Sequence, residues 1–461
     1  MGAMQFVYEQ DTTRRPLGFI EGPLSRFDGL SVLIGYGDKK ALTQRKLIPL
    51  LRKVVQFAKQ NGVKAFSLDF KDLRGIAPKA IDDATLAQLM AEAFVMANYE
   101  HTSYKTGPKD GFKRVDTVEV ANASVAIKNA IEKGQTIAKA VNACRELANT
   151  PGSDMTPESL ADAAVKAAEG TSARVKILGR AEMASLSMGG VLGVAKGSAE
   201  EPQFIVVEYW GTDRTKKPLV LVGKGVTFDT GGLQVKPGDS MYEMHMDMSG
   251  GAAVIHATVA AAKLGLKKNV IALVPAVENA SAGGAFRPGD ILKSMSGKTI
   301  EILHTDAEGR VILADAITYA KRYKPSAVID VATLTGASLV AMGTVASAFM
   351  TNKEALIPAL MDLAEQSGDL MWPMPLWEEY DPMVKGHFGD VPNISTMGNS
   401  RYGGVIAGGK FLEVFAKELE CPWVHIDMAP RMTTTAEDNL AKGAAGNPVR
   451  FLIKAIENGV K

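Results

Sequence analysis

Apolar positions in the first hundred residues alternate between short continuous runs and helical spacing. Leu30–Tyr36 (LSVLIGY) predicts a buried strand. Thr43 to Gln60 puts Leu47, Leu50, Leu51, Val54, Val55 and Ala58 on one side, the pattern of an amphipathic helix, with Pro49 either kinking it or marking its true start. Ala65–Phe70 predicts a second strand and Ile81–Glu100 a second long helix. Strands alternating with helices imply a small α/β domain. Residues 101–118 are polar, with Gly and Pro, and read as a surface connection. Ser124–Leu147 returns to helical spacing, as a connecting helix. After the turn Asn149-Thr150-Pro151-Gly152, Thr156 and Pro157 open another helix as cap and first residue.

From there the alternation becomes more regular. Predicted strands are Arg174–Leu178, Gln203–Tyr209, Leu219–Val222, Val270–Val274, Ala327–Val331 and Val424–Asp427. Predicted helices cover 159–169, 250–264, 311–323, 354–366 and 408–418. Several strands are almost wholly apolar, as required when both sheet faces are covered. The division is an N-terminal α/β domain over 1–120, a connecting helix over 121–149 and a larger α/β domain over 150–461. A chain of 461 residues fits that division, because single cores rarely grow past roughly 250–300 residues.

Composition narrows the function classes. The net charge of +1 gives no global electrostatic drive toward nucleic acid or an anionic membrane. Cys144 and Cys421 are the only cysteines, too few for a disulfide framework or a cysteine-rich metal site. No apolar stretch reaches about 18 residues, so no spanning helix is expected. The N-terminus lacks a signal-peptide apolar run. The expectation is a cytoplasmic protein.

The chemistry lies in two short stretches, GKGVTFDTGG and HTDAEGR, and in the segment between them. They carry Lys224 and Asp229, then Lys236 and Asp247, then Asp306, Glu308 and Arg310. Four carboxylates with interleaved cations resemble a two-metal hydrolytic site, since hard or borderline divalent cations need oxygen ligands. In an extended segment Asp306 and Glu308 would point to the same face. Gly309 disfavours a helix there, which places its start near Val311. The plainer alternative is that Asp306, Glu308 and Asp247 only cap helices. Lys224, directly after an apolar run, is either a lysine snorkelling at a sheet end or an amine held neutral as a metal ligand. The stretch is not a P-loop, because the Gly-Lys-Ser/Thr order fails. The six histidines are scattered with no HExxH, and no Gly-x-Ser-x-Gly elbow occurs.

With these residues assembled, the chain resembles the leucyl aminopeptidase family of two-metal exopeptidases. The resemblance rests on HTDAEGR followed by VILADA, on GKGVTFDTGG with its later lysine, and on DMSGGAA, at matching spacings. It extends through GVAKGSAEEPQFIVVEYWG, ENASAGGAFRPGD and VATLTGA, over roughly 145–461. One departure is visible: His304 stands where the family pattern has asparagine.

The resemblance implies a catalytic C-terminal domain with a mixed central sheet flanked by helices. It implies that Lys224, Asp229, Asp247 and Glu308 hold the tighter metal. Asp229, Asp306 and Glu308 would hold the more exchangeable one, with help from the Asp306 carbonyl. Lys236 would stabilise the oxyanion and Arg310 would hold bicarbonate as general base. Met244, Thr333, Leu334 and Gly336 would border the substrate. The implied metals are Zn or Mn, with Mg and Co also within the site's chemistry. The implied partners are peptides and five further copies of the chain, in a hexamer built as a dimer of trimers. If Lys224 is neutral, four carboxylates balance two divalent cations and leave Lys236 and Arg310 as a positive surplus for the anions of the reaction. Two competing readings are a DNA-binding regulator on the same fold, tested by a salt-dependent gel shift, and another two-metal hydrolase such as a phosphatase, tested by a phosphoester assay.

Overall fold

The run Leu219–Gly223 is buried at every position, and in the computed structural model it lies near the middle of a nine-stranded sheet. The structure describes residues 4–8, 11, 13–109, 111–399 and 402–460. Leu219–Gly223 pairs in parallel with Ala327–Ala332 on one side and with Asn269–Asn279 on the other. Trp423–Asp427 continues the parallel centre beside Ala327–Ala332. Antiparallel neighbours flank this centre: Gln203–Trp210 and Arg174–Leu178 on one side, Ser347–Thr351 on the other. The sheet is therefore mixed. Helices Ser249–Lys263, Glu308–Ala320 and Gly404–Ala416 are buried along most of their length, so the central strands have no wet face to alternate toward. A three-stranded sheet of Ile291–Lys293, Thr299–Glu301 and Val391–Pro392 stands apart from the large one.

Contacts divide the chain between Asn142 and Ala143, inside helix Val125–Asn149, and Thr434–Gly443 belongs to the first unit. The sequence division had placed that short segment in the C-terminal domain. It joins the first unit because Arg52 donates to the Asp438 carbonyl at 3.2 Å and Asn439 donates to the Pro49 carbonyl at 3.3 Å.

The first unit holds a six-stranded sheet with its own apolar core, in the order Gln5–Val7, Thr117–Ala121, Ala65–Asp69, Arg15–Ile20, Val32–Gly35, Arg26–Phe27. Helix Gln44–Gln60 runs through Pro49, which neither starts nor ends it. Among the described residues, no helix of either unit is long and apolar enough to cross a membrane.

Two local corrections bear on the site. Gly225–Asp229 is a strand beyond the predicted strand Leu219–Val222, paired in parallel with the far half of Asn269–Asn279. Lys224 sits at the break between the two strands, with its amide bonded to the Val331 carbonyl at 2.9 Å. The second correction concerns HTDAEGR. Thr305 and Asp306 form a turn and the helix begins at Glu308, not near Val311. Gly309 lies inside that helix, and a Cβ there would fall 2.6 Å from Lys224 Cε. The glycine makes room for the lysine.

Candidate metal centre

Two strand ends, two helix starts and the turn at Asp306 bring the charged residues together. Asp229 ends its strand, Asp247 precedes helix Ser249–Lys263, and Glu308 opens helix Glu308–Ala320. Carboxylate oxygens of Asp229, Asp306 and Glu308 lie within 4.8 Å of one another, and this is the metal-competent cluster among the described residues. It contains no imidazole, so His304 is not part of it.

Two ammonium groups stand between the carboxylates. Lys224 Nζ is 2.8 Å from Asp247 Oδ2 and 2.8 Å from Glu308 Oε1, and it donates to the Thr333 carbonyl at 3.1 Å. Lys236 Nζ is 2.9 Å from Asp229 Oδ2 and also pairs with Asp306. Asp247 Oδ2 and Asp306 Oδ1 face these cations closely, yet neither accepts an aligned hydrogen bond, and buried Glu308 Oε2 has no hydrogen-bond partner. Buried acceptor atoms left this way are costly unless a cation completes them. The donor set, four carboxylates with oxygens to spare, fits two divalent ions.

The proton affinities carry the same message. Burial, then repulsion from Glu308, pushes Asp229 up to about 6. Burial also raises Asp247, to about 7, against the pull of Lys224. Asp306 is raised by burial and by Glu308. Glu308 alone stays below its ordinary value, because Lys224 and Lys236 outweigh its burial. Burial acts to lower the Lys224 pKa, but Asp247, Glu308 and Asp229 together raise it. Without metal, Lys224 is thus an ammonium. The neutral amine expected from the sequence requires a cation in place of its proton.

Side chains that the sequence reading did not single out hold this set. Asn279 is fully buried and donates to Asp229 Oδ1 at 2.8 Å and to the Thr305 carbonyl at 3.1 Å. It lies in the ENASAGG stretch at the end of an apolar strand, a position that marks it as a site neighbour. Thr305 Oγ1 donates to the Gly231 carbonyl at 2.6 Å and accepts from the Gln234 amide at 3.0 Å, tying the two motifs together. Gly231 has φ +86°, and a Cβ there would fall 3.0 Å from Asp306 Oδ1.

The substrate-side residues are placed unevenly. Thr333 Oγ1 donates to Asp247 Oδ1 at 2.5 Å, so it joins the cluster directly. Leu334 and Arg310 both flank Gly408, whose added Cβ would lie 3.1 Å from Leu334 Cδ2 and 3.7 Å from an Arg310 guanidinium nitrogen. The Leu334 amide donates to Asp427 at 3.1 Å. Gly336 is exposed and opens helix Gly336–Met342. Met244 lies in the one-turn helix before Asp247 and meets it through a long backbone hydrogen bond of 3.4 Å. Arg310 is 6 % exposed, and its guanidinium makes no hydrogen bond or ion pair with any described residue. Burial lowers its pKa to about 10, and Glu308 and Asp427 pull the other way, so it remains a cation at neutral pH.

A model of the cytosol aminopeptidase family, catalytic domain, matches residues 142–453. The chain belongs to that family. Its curated relatives include a "Probable cytosol aminopeptidase" from Azoarcus sp. (strain BH72), 43% identical over 82% of this chain and 75% of the relative. Another of the same name, from Roseiflexus castenholzii, is 39% identical over 93% of this chain and 86% of the relative. Among solved structures, the bottromycin maturation enzyme BotP in complex with Mn superposes with a TM-score of 0.85. It is 28% identical, and the match covers 97% of this chain and 99% of BotP. The protein is a metal-dependent aminopeptidase, a two-metal hydrolase that acts on peptides. The nucleic-acid reading receives no support from these relatives.

Proposed function

We propose that the cluster cleaves the first residue from a peptide, with leucine or another apolar residue preferred at that position. The observation that supports this most directly is the double use of Glu308. It lies in the Asp229–Asp306–Glu308 cluster and also faces Lys224 beside Asp247. One metal would be held by Lys224, Asp229, Asp247 and Glu308. The other would be held by Asp229, Asp306 and Glu308, with the Asp306 carbonyl. Such ions supply a hydroxide-like nucleophile at neutral pH and polarise the scissile carbonyl. Mn is favoured by the likeness to BotP, and Zn, Co and Mg remain within the chemistry of an oxygen-rich set.

The chain's own residues divide the rest of the work. Asp247, oriented by Thr333, accepts from the free α-amine of the peptide and so measures from the chain end. Lys236 donates to the carbonyl oxygen as negative charge develops there, a contribution of about 3–4 kcal/mol by analogy with other oxyanion donors. Arg310, buried and without a hydrogen bond to the described residues, seats an anion, and bicarbonate is basic enough to serve there as general base. Leu334, Thr333, Gly336 and Met244 border the first side chain. We further propose a cytoplasmic homohexamer, a dimer of trimers, which light scattering tests. The function itself is tested with metal-stripped protein. A panel of aminoacyl chromogenic substrates is assayed as Zn, Mn, Co and Mg are added back. The expected result is metal-dependent release that is fastest with apolar residues, and phosphoester hydrolysis alone would overturn it.

A further inference from the structure

The turn His304–Ala307 carries Asp306, and side chains from elsewhere satisfy five of its eight backbone polar groups, while the Ala307 amide donates to the His304 carbonyl at 3.2 Å within the turn. Asn393 supplies most of this. Its Oδ1 accepts from the Leu303 amide at 2.8 Å and the His304 amide at 3.1 Å. Its Nδ2 donates to the His304 carbonyl at 2.6 Å and, at a longer 3.4 Å, to the Ala307 carbonyl. Gln234 Oε1 accepts from the Thr305 amide at 2.8 Å, and Asn279 Nδ2 donates to the Thr305 carbonyl at 3.1 Å. The Asp306 amide donates to His304 Nδ1 at 3.2 Å. Among the described residues, the Asp306 carbonyl is the one polar backbone group of His304–Ala307 left without a hydrogen bond.

Buried backbone groups require partners, and a turn without helix or ladder neighbours must find them in side chains. Asn393 is fully buried and uses both ends of its amide on a segment almost ninety residues earlier. It follows Val391–Pro392, a strand paired with Thr299–Glu301 just ahead of the turn. That pairing fixes where the amide can reach. His304 acts from within. Its Nδ1 accepts, so that nitrogen is unprotonated and the ring proton sits on Nε2. An asparagine Oδ1 stands the same number of bonds from the backbone and makes the same two-residue contact.

We propose that Asn393 and His304 are positioning residues for Asp306, and that the turn they hold sets the affinity of the metal bound by the Asp229–Asp306–Glu308 cluster. The proposal rests on the reading of Asp306 as a ligand given above. Asn393 fixes the backbone of the turn, and His304 fixes the direction in which Asp306 leaves it. Histidine at 304 is therefore a substitute acceptor and not an added ligand.

The test is calorimetric binding of Mn to the full-length, metal-stripped protein, resolved into tighter and weaker steps. The variants are His304→Ala, His304→Asn and Asn393→Ala. The expected result is a loss of about 10- to 100-fold in the weaker step for His304→Ala and Asn393→Ala, the usual range for groups that orient a ligand. The tighter step should stay within about twofold, and His304→Asn should restore both. Asn269→Ala is the control for losing a buried asparagine. Asn269 donates to the Asp213 and Lys216 carbonyls at 2.7 and 2.9 Å, away from the turn. If Asn393→Ala fails to fold, the two His304 variants decide. Wild-type binding by His304→Ala, or equal weakening of both steps as in the control, would overturn the proposal. Asp306→Asn is the reference. If it weakens the second step while the positioning variants do not, only this proposal falls. If it leaves that step unchanged, the ligand reading falls and this proposal with it.

Discussion

The ammonium of Lys224 lies 2.8 Å from the Glu308 carboxylate, and Gly309 leaves the space that allows it. A lysine at the break of a central strand thereby reaches the first turn of a helix. Gly309→Ala would place a methyl 2.6–2.8 Å from Lys224 Cε, Nζ and Cδ. Alanine favours the helix by about 1 kcal/mol over glycine, while crowding a filled interior costs about 1–3 kcal/mol. The expected outcome is a melting temperature within a few degrees of wild type together with a loss of most peptidase activity. Wild-type turnover would show that Lys224 has no fixed place at the site.

Metal affinity should rise with pH. Asp229 and Asp247 have folded-state pKa values raised to about 6 and about 7, and Lys224 is raised as well. A carboxyl group raised in the folded state contributes stability below its unfolded value, near 4, and loses it as pH rises through the folded value. Metal-free protein is therefore penalised increasingly between about pH 4 and pH 7, and bound cations relieve that penalty. Thermal unfolding with and without Mn should show a gap that widens from pH 5 to pH 7.5. Calorimetry in buffers of different ionisation enthalpy should show net proton release on binding. A gap independent of pH would contradict this.

Lys236→Ala should lower turnover by about 10²–10³-fold, the usual cost of removing one oxyanion donor, with metal content near normal. In the structure Lys236 pairs with Asp229 and Asp306, a neutralising role that the proposed metals would take over. Elemental analysis beside kinetics checks this. Loss of metal would move Lys236 into the ligand shell.

Arg310→Met should leave metal content unchanged and cost about 10²-fold or more in turnover, the range for a lost general base. Wild-type enzyme in carbon-dioxide-free buffer should slow and recover on adding bicarbonate, while the variant should show no such response. Recovery of the variant by bicarbonate would separate the anion from Arg310.

Much of the candidate site could be picked out in the sequence because charge is informative where it interrupts apolar runs. Lys224 follows Leu219–Gly223, and Asp306, Glu308 and Arg310 stand ahead of an apolar helix. The central strands were equally plain, since burial on both faces leaves almost uninterrupted apolar runs. What escaped depends on contacts distant in sequence. Gly225–Asp229 is not among the predicted strands, and it is strand Asn269–Asn279 that holds it in the sheet. Gly309 resembled a helix breaker because the side chain that requires it lies 85 positions earlier at Lys224. Asn393 carries no local signal, since its partners are the backbone of a turn almost ninety residues away. Thr434–Gly443 joins the first unit through hydrogen bonds and the packing of Leu440 on its core, which no periodicity records.

Glu308 and Asp229 are shared by both proposed metal sets, and Glu308, which also faces Lys224, makes Glu308→Ala the most direct test of the account. The measurement is metal stoichiometry by elemental analysis, made alongside peptidase turnover on the same folded preparation. The prediction is loss of both metals and of activity. A folded variant that keeps two metals per chain and normal turnover would contradict the assignment of the site.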